Sequence, residues 1–429
     1  MRRRFLFRTA VLDFLSLVGG VFTASLVVFG SPVAWEVPAG YPGEASMWPL
    51  LGFLLLGLIG GSYLSVRTWS GVPRPSYGRA VSISIITVAI ASMATLVTRS
   101  YYSVRFLGFT MVTMLGLALA HRAVSRSRPW TERVALVTAE KEFADHLRMA
   151  THVDVVDVLD PRSETRPNQL ANNVTVAVDL RALLSEPMAQ FVASSNVAGY
   201  EVRSLADVYQ EHTGRFPVVH LDDGWELSTP VQEAAQYLPG KRILDLALVV
   251  LLAPIWIPLG GLIWLAVRLD SKGPAIYRQA RVGQHGNPFT LHKFRTMRVD
   301  AEENGPQFAK PNDERLTRVG RLLRKVRADE IPQLWNVLKG DLSLVGPRPE
   351  RPEFHESFSE SIPFYRYRTL VRPGVTGWAQ VNYGYADDEA DTIEKLTYDL
   401  YYVTRMSLWL DLQILGKSTW TVLSGFGAQ

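Results

Sequence analysis

Four apolar runs of membrane-spanning length crowd into the first 125 residues, near 10–29, 47–66, 81–97 and 106–123. A bilayer core takes roughly 20 apolar residues in a helix, so each run can cross it once. Arg2, Arg3, Arg4 and Arg8 precede or open the first run, and the loop 31–46 has no Lys or Arg. Arg67, Arg74 and Arg79 flank the second loop, and the third has Arg99 and Arg105. After the fourth run come Arg122, Arg126, Arg128 and Arg133. Cytoplasmic flanks hold the excess of Lys and Arg, so this alternation places the N-terminus and everything after Arg122 in the cytoplasm. The opening arginines also fit a signal peptide, but this apolar run outlasts the usual h-region and three more follow it. The expectation is a multi-pass membrane protein.

The remaining 300 or so residues read differently. From 132 to 220, β-branched runs at 133–138, 153–159 and 174–180 alternate with helix-like stretches at 141–150 and 182–194. That rhythm predicts a small α/β domain. A dinucleotide site would need glycines at the first strand-to-helix turn, and Val137-Thr138-Ala139-Glu140-Lys141 has none, so a degenerate Rossmann-like domain without cofactor is expected. Residues 221–240 read as a linker, broken by Pro230 and Pro239. The chain has no cysteine, which excludes disulfides, thiolate catalysis and cysteine-ligated metals. A net charge of +4 with no nucleic-acid motif points to membrane flanks and phosphate sites, not nucleic acid.

A fifth apolar run, 243–269, carries Lys241 and Arg242 before it and Arg268 and Lys272 after it, so both ends bear the cytoplasmic signature. Pro254 and Pro258 each remove a helix hydrogen bond in its middle. A helix broken there can enter one leaflet and return; an ordinary kinked span is the alternative. Residues 273–298 then crowd Arg278, Arg281, Lys293, Arg295 and Arg298 into a β-like segment, either a diphosphate pocket or a lipid-facing basic surface. Arg315, Arg318, Arg321 and Arg324 recur every three residues and predict an amphipathic helix on anionic lipid.

Residues 327–349, RADEIPQLWNVLKGDLSLVGPRP, hold the sharpest chemistry. Asp329 and Glu330 stand at the expected start of a short helix, where acids also serve as simple caps. Arg348 follows, fixed between Pro347 and Pro349. Adjacent carboxylates beside a rigid guanidinium suit phosphate chemistry: one can attack phosphorus or hold a metal, while the arginine offsets phosphoryl charge. In 370–382, Gly377-Trp378 is open to two readings, a base- or sugar-facing wall and a structural loop. Residues 406–423 read as an interfacial helix interrupted by Asp411, Gln413 and Lys417.

In order, KRILDLALVVLLAPIWIP, KFRTM, RADEIPQLWNVLKGDLSLVGPRP, VRPGVTGWAQVN and YDLYYV resemble the bacterial sugar transferase family, the polyprenyl-phosphate hexose-1-phosphate transferases. The four spans and the α/β domain resemble its long form. The resemblance implies domains at 1–125, 132–220 and 241–429, the last mostly helical and catalytic, with a re-entrant helix broken at Pro254. It implies transfer of a sugar 1-phosphate from a UDP-sugar to polyprenyl (undecaprenyl) phosphate with release of UMP, opening exopolysaccharide or related glycan synthesis on the cytoplasmic face. It implies Asp329 as nucleophile, forming a phospho-sugar aspartyl intermediate, and Glu330 as the Mg2+-associated acid. Lys293, Arg295, Arg348 and Asp399 are implied for substrate binding. Where many relatives continue with Gly-Arg after Asn382, this chain has Tyr383-Gly384-Tyr385, which leaves the sugar open. Rival readings are a Leloir-type glycosyltransferase, a non-catalytic scaffold of polysaccharide assembly and a nucleotide-sugar oxidoreductase. Self-association into a homodimer is left open by the sequence.

Overall fold

The computed structural model describes residues 2–31, 47–67, 76–97, 103–127, 131–165, 167, 170–171, 173–218, 236–299, 301, 313–383 and 389–424. Residues 32–46, 68–75, 98–102, 219–235 and 384–388, on which parts of the sequence reading rest, fall outside these; of the expected linker 221–240 the last three residues open a helix, with Pro239 in its first turn where it breaks nothing. The chain divides into two compact units. One comprises Met1–Ala135, Arg148–Asp157 and Leu170–Thr175; the other comprises Leu136–Leu147, Val158–Gln169 and Val176–Gln429.

Four apolar helices form the bulk of the first unit: α1 (Arg2–Phe29), α2 (Trp48–Arg67), α3 (Tyr77–Val97) and α4 (Val104–Arg126). Helix α1 packs on α4, and α2 on α3. Gly57 and Gly61 lie four apart on α2, and a Cβ on Gly57 would stand 2.6 Å from the Thr87 carbonyl. Small residues at that spacing let helices approach closely where apolar surface alone would not distinguish a neighbour from lipid. Leu17, Leu54, Ile83, Phe106 and Met114 fill the centre, while Leu56, Ile59, Leu96 and Val112 stay exposed. Arg122, counted above among the cytoplasmic flanking charges, is instead buried: its Nη1 and Nη2 donate to Asp13 Oδ1 and Oδ2 at 2.6 and 2.8 Å. A bidentate partner is what makes a charge tolerable there.

Next come β1 (Glu132–Val137), α5 (Lys141–Met149), β2 (Val153–Leu159), β3 (Val174–Val178), α6 (Glu186–Val197), β4 (Glu201–Ser204) and α7 (Leu205–Thr213). The sheet has the order β2-β1-β3-β4.

The second unit continues with α8 (Leu238–Leu251) and α9 (Ala253–Asp270). The apolar run is thus two helices, separated at Leu252, with Pro254 in the first turn of α9 where its missing N–H costs nothing. Both outer ends are tied down. At the start of α8, Arg242 Nη1 and Nη2 donate to the carbonyls of Val337 and Leu338 at 2.6 and 2.9 Å. At the end of α9, Asp270 Oδ2 accepts from Val319 N at 3.1 Å. Between them Ile243, Val250, Leu251, Ile255, Leu262 and Trp264 are exposed. Of the whole chain's described helices, α1, α3, α4 and α9 are long and apolar enough to cross a membrane.

An antiparallel hairpin follows, β5 (Ile276–Val282) and β6 (Pro288–Phe294), with Tyr277 opposite Lys293 and Arg281 opposite Phe289. Then come α10 (Arg318–Lys325), α11 (Gln333–Lys339), β7 (Ser343–Val345), α12 (Pro352–Ser361), β8 (Gly374–Thr376), α13 (Trp378–Asn382), α14 (Glu389–Arg405) and α15 (Leu408–Ser424). Helix α10 is shorter than the arginine spacing predicts. Arg315 lies outside it, bound to Asp313, and Arg324 Nε donates to Thr296 Oγ1 at 3.1 Å. Strand β7 pairs in parallel with β8. Their approach needs glycine, because a Cβ on Gly374 would collide with the Gly346 backbone.

Asp411 does not interrupt a surface helix. It is buried on α15, accepting from Lys241 Nζ at 2.6 Å and Tyr237 OH at 3.0 Å on Oδ2, and from Tyr402 OH at 2.7 Å on Oδ1. Trp378 likewise turns into the core: its Nε1 donates to the Gly214 carbonyl at 2.7 Å, and its ring stacks on Tyr401. That decides for the structural reading of Gly377-Trp378.

Candidate active site

Asp329 and Glu330 sit in a 3-10 turn, Ala328–Glu330, not in the first turn of α11. Pro332 separates the two, since it lacks the N–H that would continue the hydrogen bonding. Arg327 enters the turn with φ of 54°, the left-handed region that a non-glycine residue rarely adopts. Helix α11 is fixed to β6 by the buried Asn336, whose Oδ1 accepts from His292 N at 3.1 Å and whose Nδ2 donates to the Thr290 carbonyl at 2.7 Å. That joint brings Lys293 to the dyad.

Lys293 Nζ donates to Glu330 Oε1 at 3.2 Å, and Arg348 Nη1 donates to the same oxygen at 3.3 Å. Four residues from three sequence segments therefore meet: Asp329, Glu330, Lys293 and Arg348. Arg281 shares the hairpin face of Lys293, because strand pairing sets residues 277, 279 and 281 opposite 293, 291 and 289. Arg278 and Arg298 are exposed, so the basic segment splits between a pocket and a surface.

The two carboxylates titrate apart. Burial, reinforced by the neighbouring Glu330 charge, holds the Asp329 carboxyl above the ordinary range. Burial pushes Glu330 the same way, but Lys293, Arg348 and Arg327 outweigh it and bring its carboxyl down to about 2. Burial lowers Lys293 against the pull of Glu330. Burial and the adjacent Arg348 lower Arg281 to about 10. Adjacent acids with opposed environments commonly mark a division of roles.

Arg295 and Asp399 do not join this cluster. Arg295 Nη2 donates to Ser271 O and Oγ at 2.8 and 2.9 Å, closing the turn after α9. Asp399 is buried on α14 and accepts from Arg368 Nε and Nη2 at 3.1 and 2.7 Å. Pro254 stands at the helix break. Glu350, Arg368 and Lys395 form a charged group beside Arg348, with Arg368 buried and the other two half-buried, that the sequence reading did not single out. The only sequence signal for it was Lys395 one helical turn before Asp399.

The family described as bacterial sugar transferase matches residues 236–425. The chain is 42% identical over 258 residues to UDP-N-acetylgalactosamine-undecaprenyl-phosphate N-acetylgalactosaminephosphotransferase of Aeromonas hydrophila, covering 59% of this chain and 60% of that protein. It is 40% identical over 220 residues to UDP-glucose:undecaprenyl-phosphate glucose-1-phosphate transferase of Escherichia coli, covering 50% of this chain and 45% of that one. A protein of the same name from Caulobacter vibrioides is 43% identical over 188 residues, 43% of this chain and 70% of the relative. The chain thus spans about half the length of the first two relatives. The family's match runs over the stretch that folds into the Asp329 site, and most of the Caulobacter relative aligns, so the chain belongs to the bacterial sugar transferase family.

Proposed function

We propose that this protein transfers a sugar 1-phosphate from a UDP-sugar to undecaprenyl phosphate, releasing UMP, at the cytoplasmic face of the bacterial inner membrane. The observation that carries the reading is the convergence of Lys293 and Arg348 on Glu330 beside the buried Asp329. The relatives' names supply the substrate class. In the first step an Asp329 carboxylate oxygen attacks the phosphorus that bears the sugar. The bridging P–O bond breaks, its electrons leave with UMP, and a sugar-phosphoryl aspartate remains. In the second step an oxygen of the lipid phosphate attacks the same phosphorus. Asp329 leaves as carboxylate, and a polyprenyl-diphosphate sugar forms. Lys293 and Arg348 lie where they would offset charge on the non-bridging oxygens in both steps.

Mg2+ fits this donor set. Both cationic contacts of Glu330 fall on Oε1, and Mg2+ takes one or two carboxylates, completing its shell with substrate phosphate and water. Among the described residues no group of three acids or histidines could cage an ion alone. Glu330 would hold the ion, which when bound would supply charge neutralisation to the diphosphate.

A re-entrant α8–α9 accounts for the geometry. Its two ends bind α11 and α10 of the same unit, and Gly260, midway along α9, faces Ile331, two residues from Asp329. The reaction centre would then rest at one leaflet, where the lipid phosphate lies. Purified protein given a panel of UDP-sugars and undecaprenyl phosphate tests the function. UMP as product supports it, and UDP would replace it with transfer of the sugar alone.

A further inference from the structure

Each carbonyl from Pro347 to Glu350 is held by a donor from outside the segment. Gly374 N donates to Pro347 O at 2.9 Å and Arg368 Nη2 to Arg348 O at 3.0 Å. Arg281 Nη1 donates to Pro349 O at 3.1 Å, and Val282 N to Glu350 O at 2.9 Å. The donors come from β8, from the 3-10 turn Tyr365–Leu370 and from β5. Two prolines fix φ on either side of Arg348.

Two of these four donors are guanidinium groups shielded from water, and a cation removed from water needs a matching anion. Glu350 lies among them. Its Oε1 is 3.5 Å from Arg368 Nη1 and 3.7 Å from Lys395 Nζ, and its Oε2 is 4.0 Å from Arg281 Nη1. Asp399 accepts from Arg368 Nε and Nη2, and Tyr365 OH accepts from its Nη1 at 2.6 Å.

We propose that Glu350, with Arg368 and Arg281 as its struts, is a positioning clamp that fixes the Pro347–Glu350 segment and so sets the Arg348 guanidinium against the phosphoryl site. Glu350 acts through Arg348; it is a positioning residue, and the proposal rests on the transferase reading above. It accounts for a half-buried carboxylate two residues from Arg348 that is paired with Arg368, Lys395 and Arg281. It also gives Asp399 a task, anchoring Arg368, that needs no contact with substrate.

A double-mutant cycle in the full-length protein separates positioning from bulk stability. Glu350→Gln keeps the shape and removes the charge, and should lower kcat/KM for UMP release by about tenfold to a hundredfold. Arg368→Lys keeps the charge and loses the planar fork, and should behave alike. In an Arg348→Ala background, already low, either change should add less than about twofold, because the group being positioned is gone. Losses that multiply in that background would overturn the clamp, as would near-normal turnover of both single variants or failure of both to fold. The same cycle read in UDP affinity distinguishes the two proposals. If the wild type binds UDP with this non-additive pattern but releases no UMP, the clamp stands and the transferase reading falls. If neither UMP release nor UDP affinity shows the coupling, the clamp falls, and UMP release by the wild type leaves the transferase reading standing.

Discussion

Asp329 is asked to be ionised in surroundings that disfavour its charge. A carboxyl raised in the folded protein binds its proton more tightly there than in the unfolded chain. Between the ordinary carboxylate range and the raised value, stability therefore falls as pH rises. Asp329→Asn should consequently abolish UMP release, by about a thousandfold or more, while melting no lower than the wild type. A variant that keeps turnover would dismiss Asp329 as nucleophile; one that melts much lower would show that the carboxylate is structural. The same shift sets a pH limit. UMP release without acceptor should climb with pH along an acid limb lying above about 3.9, the ordinary aspartate value, because the nucleophile must lose its proton. Leaving out the lipid phosphate keeps its own ionisation out of the profile. The midpoint belongs to the dyad, since Asp329 and Glu330 titrate together. A limb at or below the ordinary value would contradict the raised carboxyl.

At the scale of elements, the α8–α9 pair carries the most consequence. Its break at Leu252 and the attachment of both ends to α10 and α11 favour return to the same face over crossing. The chain has no cysteine, so single cysteines at Gly240 and Lys272 can be read without background. An impermeant maleimide applied to intact cells should label neither, and both should label once the membrane is opened. Labelling of the Lys272 position alone in intact cells would mean that α9 crosses and that the Asp329 site lies outside.

On the scale of the whole molecule, the segment after α7 packs with α12, α14 and the Tyr365–Leu370 turn. Phe216 is buried with Ile362, Tyr365, Leu396 and Leu400, its N–H donates to the Thr397 carbonyl at 2.8 Å, and Arg215 pairs with Glu394 at 2.6 Å. A fragment beginning at Pro239 retains the expected catalytic motifs but loses this packing and the Gly214 partner of Trp378. It should melt about 10 °C or more below a fragment beginning at Tyr200, since an aromatic core residue alone contributes roughly 3–5 kcal/mol. Equal melting temperatures for the two fragments would show that the segment is dispensable. Activity in the shorter one, where it stays folded, would still place catalysis after residue 239.

The residues themselves determined the apolar runs, the broken fifth run and the acid pair near Pro-Arg-Pro, because these depend on composition and short spacing. Periodicity and proline chemistry act within a few residues and are legible without a fold. The residues also offered Arg348 beside the acid pair and Lys293 and Arg295 within a basic segment, and family likeness added Asp399; the structure gathers Lys293 and Arg348 at Glu330 and places Arg295 and Asp399 in buried supporting contacts. Tertiary structure alone decided those differences. Whether a basic side chain faces the pocket, a turn or lipid is set by strand pairing, and local sequence carries no record of what lies across the hairpin. Arg122 and Asp411 show the same thing: one reads as a flanking charge and the other as a polar interruption of an interfacial helix, and each is buried against a partner 109 or 170 residues away. Glu350 and Arg368 were illegible for that reason too, since their value lies in carbonyls and charges brought together only when β5, β8 and the 3-10 turn close on one segment.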